Sequence, residues 1–199
     1  ILTQHLEAYK QQKEEQIFKE ALENGKIKLA ITNDKNTGFR VPESDVITTT
    51  NIPNLYNLNL YDDVEVSTIN TLEKKVIDIL ERQETTLFWF RNKVAKNWYA
   101  IQGWRENKIR PDFVVAKKKD EDKIEIVYLL ESKGEHLLGN NDTTYKNDVF
   151  KTMTNQHKNK KIKTYQIDLD FGENVLNESI EAYLIEDQKE EQQLKELMK

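Results

Sequence analysis

Apolar positions recur along this chain with two periods. Between Thr3 and Asn24, the residues Leu6, Tyr9, Ile17, Ala21 and Leu22 fall near helical spacing and Gly25 suits the stop, which predicts an amphipathic helix. Thr71–Gln83 predicts a second helix, with Leu72, Val76, Ile79 and Leu80 on one stripe. Asn70 and Glu73 stand three residues apart there, the spacing of a capping box. The aromatic-rich runs Thr86–Arg91 and Trp98–Gln102 read as strands. Phe113–Ala116 and Ile124–Leu130 flank the charged stretch Lys117–Lys123, which is a hairpin signal. A third helix is expected over Tyr145–Gln156, capped by Asp142 or Thr143, with Tyr145, Val149 and Met153 on one side. Ile162–Phe171 alternates apolar and polar positions and predicts a half-buried strand. Asn174–Ile185 predicts a last amphipathic helix through Leu176, Ile180, Tyr183 and Leu184, and the charged Glu186–Lys199 a frayed helical extension. Ile27–Ile31, Phe39–Val41, Val46–Thr50 and Leu55–Tyr61 are short strand candidates between the first two helices.

From residue 71 the expected order is helix, three strands, helix, strand, helix. An αβββαβ order suits an α/β fold, a mixed sheet with helices on both faces. The expected organisation is an accessory N-terminal extension over residues 1–65, a core over 66–185 and a charged helical tail over 186–199.

The hairpin carries the candidate chemistry. Folded about a tip at Asp120–Asp122, it sets Asp112 opposite Glu131, and cross-strand partners have Cβ atoms about 5 Å apart. Period-2 alternation puts Glu131 and Lys133 on one face, and this register adds Asp112 to that face. Two carboxylates this close repel unless a cation sits between them. A divalent metal is the simplest answer, because Mg²⁺ favours oxygen ligands and is often held by one or two carboxylates plus substrate phosphate. The Lys133 ammonium is a compact charge able to orient, or help deprotonate, an attacking water. The plainer alternative is a surface ion pair between Lys133 and a carboxylate at the hairpin's end.

Pro111-Asp112 followed by Glu131-Ser132-Lys133 resembles the signature of the PD-(D/E)XK nucleases. The wider RPDFVV … YLLESKG, with FWFRN and AIQGW before it, resembles the endonuclease domain at the C-terminal end of type III restriction subunits, and this resemblance covers residues 71–171. It implies a restriction-endonuclease-like core and a Mg²⁺-dependent DNA endonuclease, with Mn²⁺ able to substitute. On this reading Asp112, Glu131 and the backbone carbonyl of Ser132 hold the metal and Lys133 serves the water, leaving a 5′-phosphate and a 3′-hydroxyl. The resemblance also points Glu73 into the metal site, which competes with its plainer role as a helix cap. The implied partners are double-stranded DNA, a helicase or ATPase region in the parent chain and a modification subunit. The rival is an inactive nuclease-like module that holds DNA or a partner without cutting. A glycosidase fits less well, since a lysine two residues after the carboxylate suits phosphate better than sugar. Arg91 and Asn92 are candidates for lying near DNA, and Trp89 and Trp98 for stacking on bases, although aromatics in such runs more often belong to the core. His136, alone in a polar loop, reads as solvated.

Composition refines this picture. A net charge of −5 over 199 residues counts against strong nonspecific binding to DNA by the surface as a whole. Basic residues are nevertheless clustered. Tyr145–Tyr165 holds six lysines against the single acid Asp148, which makes Lys146, Lys158, Lys160 and Lys161 the candidate nucleic-acid contacts. There is no cysteine, so disulfides and thiolate metal sites are excluded, and a cytoplasmic location is expected. No apolar run approaches the roughly 20 residues of a membrane helix. No GxxxxGK[ST] phosphate loop is present, so an ATP-driven motor is expected to lie elsewhere. The chain opens on Ile1 rather than Met and is expected to be a piece of something longer.

Overall fold

The computed structural model describes residues 2–24, 26–27, 30–32, 56–61, 66–93, 99–120, 123–158, 166–168 and 179–199. Helix α1 (Leu2–Glu23) leads to a short strand β1 (Ala30–Thr32). Helix α2 (Thr71–Leu80) precedes strands β2 (Thr86–Arg91), β3 (Phe113–Asp120) and β4 (Lys123–Lys133). Helix α3 (Asn141–Lys158), strands β5 (Gln166–Asp168) and β6 (Ser179–Glu186) and helix α4 (Glu190–Leu197) complete the order. The main sheet runs β2-β3-β4-β6. Its first three strands are antiparallel, and β6 lies parallel to β4, so the fold is α/β with a mixed sheet flanked by helices. A parallel pair needs a crossover, and α3 lies within it, packed on β6.

Burial follows from this layering. Val114, Ala116, Val127 and Leu129 face a cluster completed by Phe18 and Leu22 of α1 and Val149, Phe150 and Met153 of α3. The alternate residues Phe113, Val115, Ile126, Tyr128 and Leu130 face Val76, Ile77, Ile79 and Leu80 of α2 and Leu194 of α4. With both faces covered, Ile126–Leu130 is a continuous buried apolar run, as expected of a central strand.

The hairpin strands are longer than their apolar runs, because Lys117–Asp120 continues β3 and Asp120 pairs with Lys123. The third helix begins earlier than expected, and its cap is Asn140, whose Oδ1 accepts from the Thr143 amide at 2.7 Å, rather than Asp142 or Thr143. The strand expected over Trp98–Gln102 does not form among the described residues there. Ile101 makes one antiparallel bridge to Ile109 instead, and Trp98 lies outside the described residues.

Two expectations near the C-terminus are corrected. Spacing predicts the last helix over Asn174–Ile185, yet Ser179–Glu186 is strand β6. Ile180 and Ala182 point to one face and Ile185 to the other, and residue-by-residue pairing from Ile126↔Ser179 to Lys133↔Glu186 overrides a spacing that also suits a helix. Ile162–Phe171 does not supply the sheet's fourth strand. Its described part, Gln166–Asp168, pairs with β1 in a separate two-stranded sheet. The tail is helical but not frayed, since Leu194 and Met198 are buried and Tyr128 Oη donates to the Leu197 carbonyl at 2.8 Å. Phe39–Val41 and Val46–Thr50 lie outside the described residues, and of Leu55–Tyr61 the described part, 56–61, has one bridge, Asn59 to Trp89. Among the described residues no helix is long and apolar enough to cross a membrane.

Candidate active site

The β3–β4 register decides where the acids meet. Phe113 pairs with Leu130, so one step further along the ladder Asp112 stands against Glu131. Ser132 ties the two strands together here. Its amide and its hydroxyl both donate to Asp112 Oδ2, at 2.8 and 2.6 Å. Both of these hydrogen bonds to the Asp112 carboxylate therefore fall on one oxygen.

The approach of Asp112 to β4 is set by Asn92, a buried polar residue just past the end of β2. Its side-chain amide donates to the carbonyls of Tyr99 and Pro111 at 2.8 and 2.9 Å, and its Oδ1 accepts from the Tyr99 amide at 3.0 Å. Its own backbone amide donates to the Asp112 carbonyl at 2.7 Å. Asn92 thus clamps the backbone around the Pro111–Asp112 peptide and is buried away from solvent. Asn92→Ala leaves buried carbonyls unsatisfied, and is expected to cost about 1–3 kcal/mol in urea unfolding. A change below about 0.5 kcal/mol, the range of neutral surface substitutions, would contradict the clamp.

Glu131 lies on the α3 side of β4, at only 2 % exposure. Its Oε1 receives two ammonium groups, Lys133 at 2.7 Å and Lys146 of α3 at 2.8 Å. Its Oε2 is buried and has no hydrogen-bond partner. Burial raises the Glu131 pKa, the Asp112 charge raises it further, and Lys146 and Lys133 pull the other way. The Asp112 pKa is also raised, first by burial and then by the charge of Glu73, against the Ser132 hydrogen bonds and Lys133. Burial works to lower the Lys146 pKa, but Glu131 and Asp142 outweigh it and the net shift is upward. Burial therefore opposes the negative charge on both carboxylates, and Glu131 Oε2 has no donor among the described residues.

Compared with protein-family models, with curated proteins and with solved structures, the chain matches none. The site must be read from its own chemistry.

Glu73 does close the helix start: its Oε2 accepts from the Asn70 amide and its own amide donates to Asn70 Oδ1, both at 2.9 Å. It is also 5 % exposed, bound by Arg91 at 3.2 Å and close enough to Asp112 to raise its pKa. The cap and the proximity to the site coexist. Arg91 is spent on Glu73 and on Thr68, which its Nη1 reaches at 2.9 Å. Among the described residues no group of three or more His, Asp or Glu side chains is arranged to hold a metal ion. Mg²⁺ does not require one, because it keeps several waters and is often held by one or two carboxylates plus substrate phosphate. A donor set of hard oxygens with an orphaned Glu131 Oε2 fits that ion.

The other sequence candidates separate. Lys146 belongs to the acid pair itself: a lysine at the start of this helix can face the site or stand solvated on the surface, and its 2.8 Å contact with Glu131 puts it at the site. Lys158 sits at the far end of α3, against Glu181 at 3.5 Å and Tyr183 Oη at 2.9 Å. Lys160 and Lys161 lie outside the described residues. Trp89 is fully buried, donating to Glu81 Oε1 at 2.7 Å, so it is a core residue and not a stacking platform. His136 is exposed.

Proposed function

We propose that this chain is a metal-dependent DNA endonuclease module that hydrolyses phosphodiester bonds, the cleavage part of a type III-like restriction subunit or a related helicase-linked nuclease. The observation that carries this reading is the Glu131 carboxylate, buried beside Asp112 with Oε2 bare and Lys133 two residues on. A hairpin that only displayed a surface ion pair would have no reason to bury one acid against a second, half-buried one. The order α2-β2-β3-β4-α3-β6, with β6 parallel to β4, supports a restriction-endonuclease-like core.

Asp112 and Glu131 would hold Mg²⁺ or Mn²⁺, with the Ser132 carbonyl offering a third oxygen. When bound, the ion supplies Lewis-acid polarisation of the phosphate and a lowered pKa for its water. Ser132 orients Asp112 by occupying its Oδ2. Lys133 orients the attacking water and offsets charge developing on the phosphate oxygens. Lys146 keeps one cation on Glu131 when Lys133 turns to the water. Double-stranded DNA is the substrate, and the motor and modification functions belong to partners or to other parts of a longer chain. An inert nuclease-like binding module is the second reading, favoured by the saturation of Glu131 Oε1 with two lysines.

Calorimetric titration with Mn²⁺ separates the two readings. The native chain is expected to bind the ion, and Asp112→Ala to lose that binding. Identical titrations for the two proteins would sink the metal site.

A further inference from the structure

Loop 103–109 and the start of α3 enclose a cleft of about 250 Å³ that adjoins the acid pair through a shared residue, Lys146. We propose that this cleft seats a backbone phosphate of duplex DNA next to the scissile one, held by Arg105, Lys108 and Lys146; the inference rests on the nuclease reading and names a subsite within it.

The loop is held against α3 by packing that leaves no slack. Gly103 approaches so closely that a Cβ there would collide with Tyr145 Oη and stand 2.9 Å from Val149 Cγ2. Trp104 stacks edge-on against Tyr145 at 5.1 Å, and the Arg105 amide donates to Tyr145 Oη at 3.0 Å. The Arg105 guanidinium lies over the Tyr145 ring, its carbon 4.2 Å from the centroid. Stacking on a ring face steadies a guanidinium, and a fork held this way keeps its in-plane N–H donors for a planar or phosphate acceptor. No carboxylate forms an ion pair with Arg105 among the described residues. Lys108 is exposed on the same wall, and Lys146 reaches from the other wall to Glu131.

Glu106 and Asp142 also line the cleft, together with Arg105, Lys108 and Lys146. Asp142 lies 3.5 Å from Lys146 and its side chain is 67 % exposed, where water screens it. A pair of adjacent carboxylates repels a polyanion, so cations beside the pair are what allow a phosphate chain to approach. Tyr145 is covered by Trp104 and Arg105, so this wall offers no open ring for a base. The cleft therefore reads the backbone, and its contacts position the duplex without selecting sequence.

Anisotropy of a labelled duplex, with Ca²⁺ in place of Mg²⁺ and over a range of NaCl, tests the assignment in the full chain. Arg105→Glu/Lys108→Glu is expected to weaken binding at least tenfold for two unrelated duplex sequences alike. The salt slope should fall by about 0.9 for each lost contact. Lys108→Glu alone, at an exposed position, should lose about half of that slope change and keeps the test readable if the double variant fails to fold. Unchanged affinity and slope in Lys108→Glu and in any folded double variant, or no duplex binding by the native chain, overturns the cleft. Plasmid nicking with Mn²⁺ by the native chain is read in parallel. Nicking with cleft-independent binding removes the cleft and leaves the nuclease; cleft-dependent binding without nicking keeps the cleft and removes the nuclease.

Discussion

Lys133→Ala is expected to lower DNA cleavage by about 10²–10⁴-fold, the usual effect of losing a positioned acid–base group. The structure explains why the loss should fall on turnover and not on folding. Lys146 remains at 2.8 Å from Glu131 Oε1, so the buried carboxylate keeps a cation after Lys133 has gone. Metal affinity should hold or rise slightly, since a competing positive charge leaves Glu131. Lys133→Arg keeps the charge but replaces a compact ammonium with a wide planar fork, and should also be impaired. Single-turnover cleavage and Mn²⁺ titration on the same preparations check both halves. A Lys133→Ala protein that cuts at the native rate would leave Lys133 as an ion-pair residue only.

Asp112→Asn is expected to abolish cleavage and yet unfold no more easily than the native chain at pH 7. Asparagine keeps an oxygen for the Ser132 amide and hydroxyl while removing a buried charge that the Glu73 charge opposes and that itself raises the Glu131 pKa. The sign follows from the raised pKa. Between the ordinary aspartate value and the raised native value the folded state binds more protons than the unfolded state, so native stability falls as pH climbs through that window. The asparagine variant escapes this loss. Its advantage is absent below the ordinary aspartate range, grows across the window and stays level above it. A tenfold difference in proton affinity between the folded and unfolded states corresponds to about 1.4 kcal/mol. Saturating Mn²⁺ should reverse the order, because ligand binding stabilises only the native site, by about 2.7 kcal/mol at a hundred times Kd. Urea unfolding at pH 4 and pH 7, with and without Mn²⁺, reads all of this. A variant less stable than the native chain at pH 7 without metal would mean that the Asp112 charge serves the fold.

The site was legible in the sequence to the extent that strand pairing fixes it. A charged tip between two β-branched runs sets the register, and the register brings Asp112 to Glu131 and Glu131 to Lys133. The capping box at Asn70 and Glu73 was legible for the same reason, since both partners are local. What escaped depends on distant segments. Ile180, Tyr183 and Leu184 suit a helix as well as a strand, and only the β4 edge decides between them. Leu194, Leu197 and Met198 stand at helical spacing in a polar stretch, and their burial depends on α2 and β4 being there to meet them. Nothing local marks Asn92 as a clamp, because its partners Tyr99 and Pro111 are brought to it by the loop between β2 and β3. For Lys146 the sequence leaves a site-facing and a solvated reading open, and how α3 lies on the sheet decides for the first.

Supercoiled plasmid incubated with the purified chain is the most direct test of the endonuclease assignment. With Mg²⁺ or Mn²⁺ the native chain should convert it to nicked and linear forms whose ends carry 5′-phosphate and 3′-hydroxyl groups. Chelation of the metal should stop the reaction, and Asp112→Asn should show none. Plasmid left intact at every metal concentration, or cut equally by Asp112→Asn, would contradict the account.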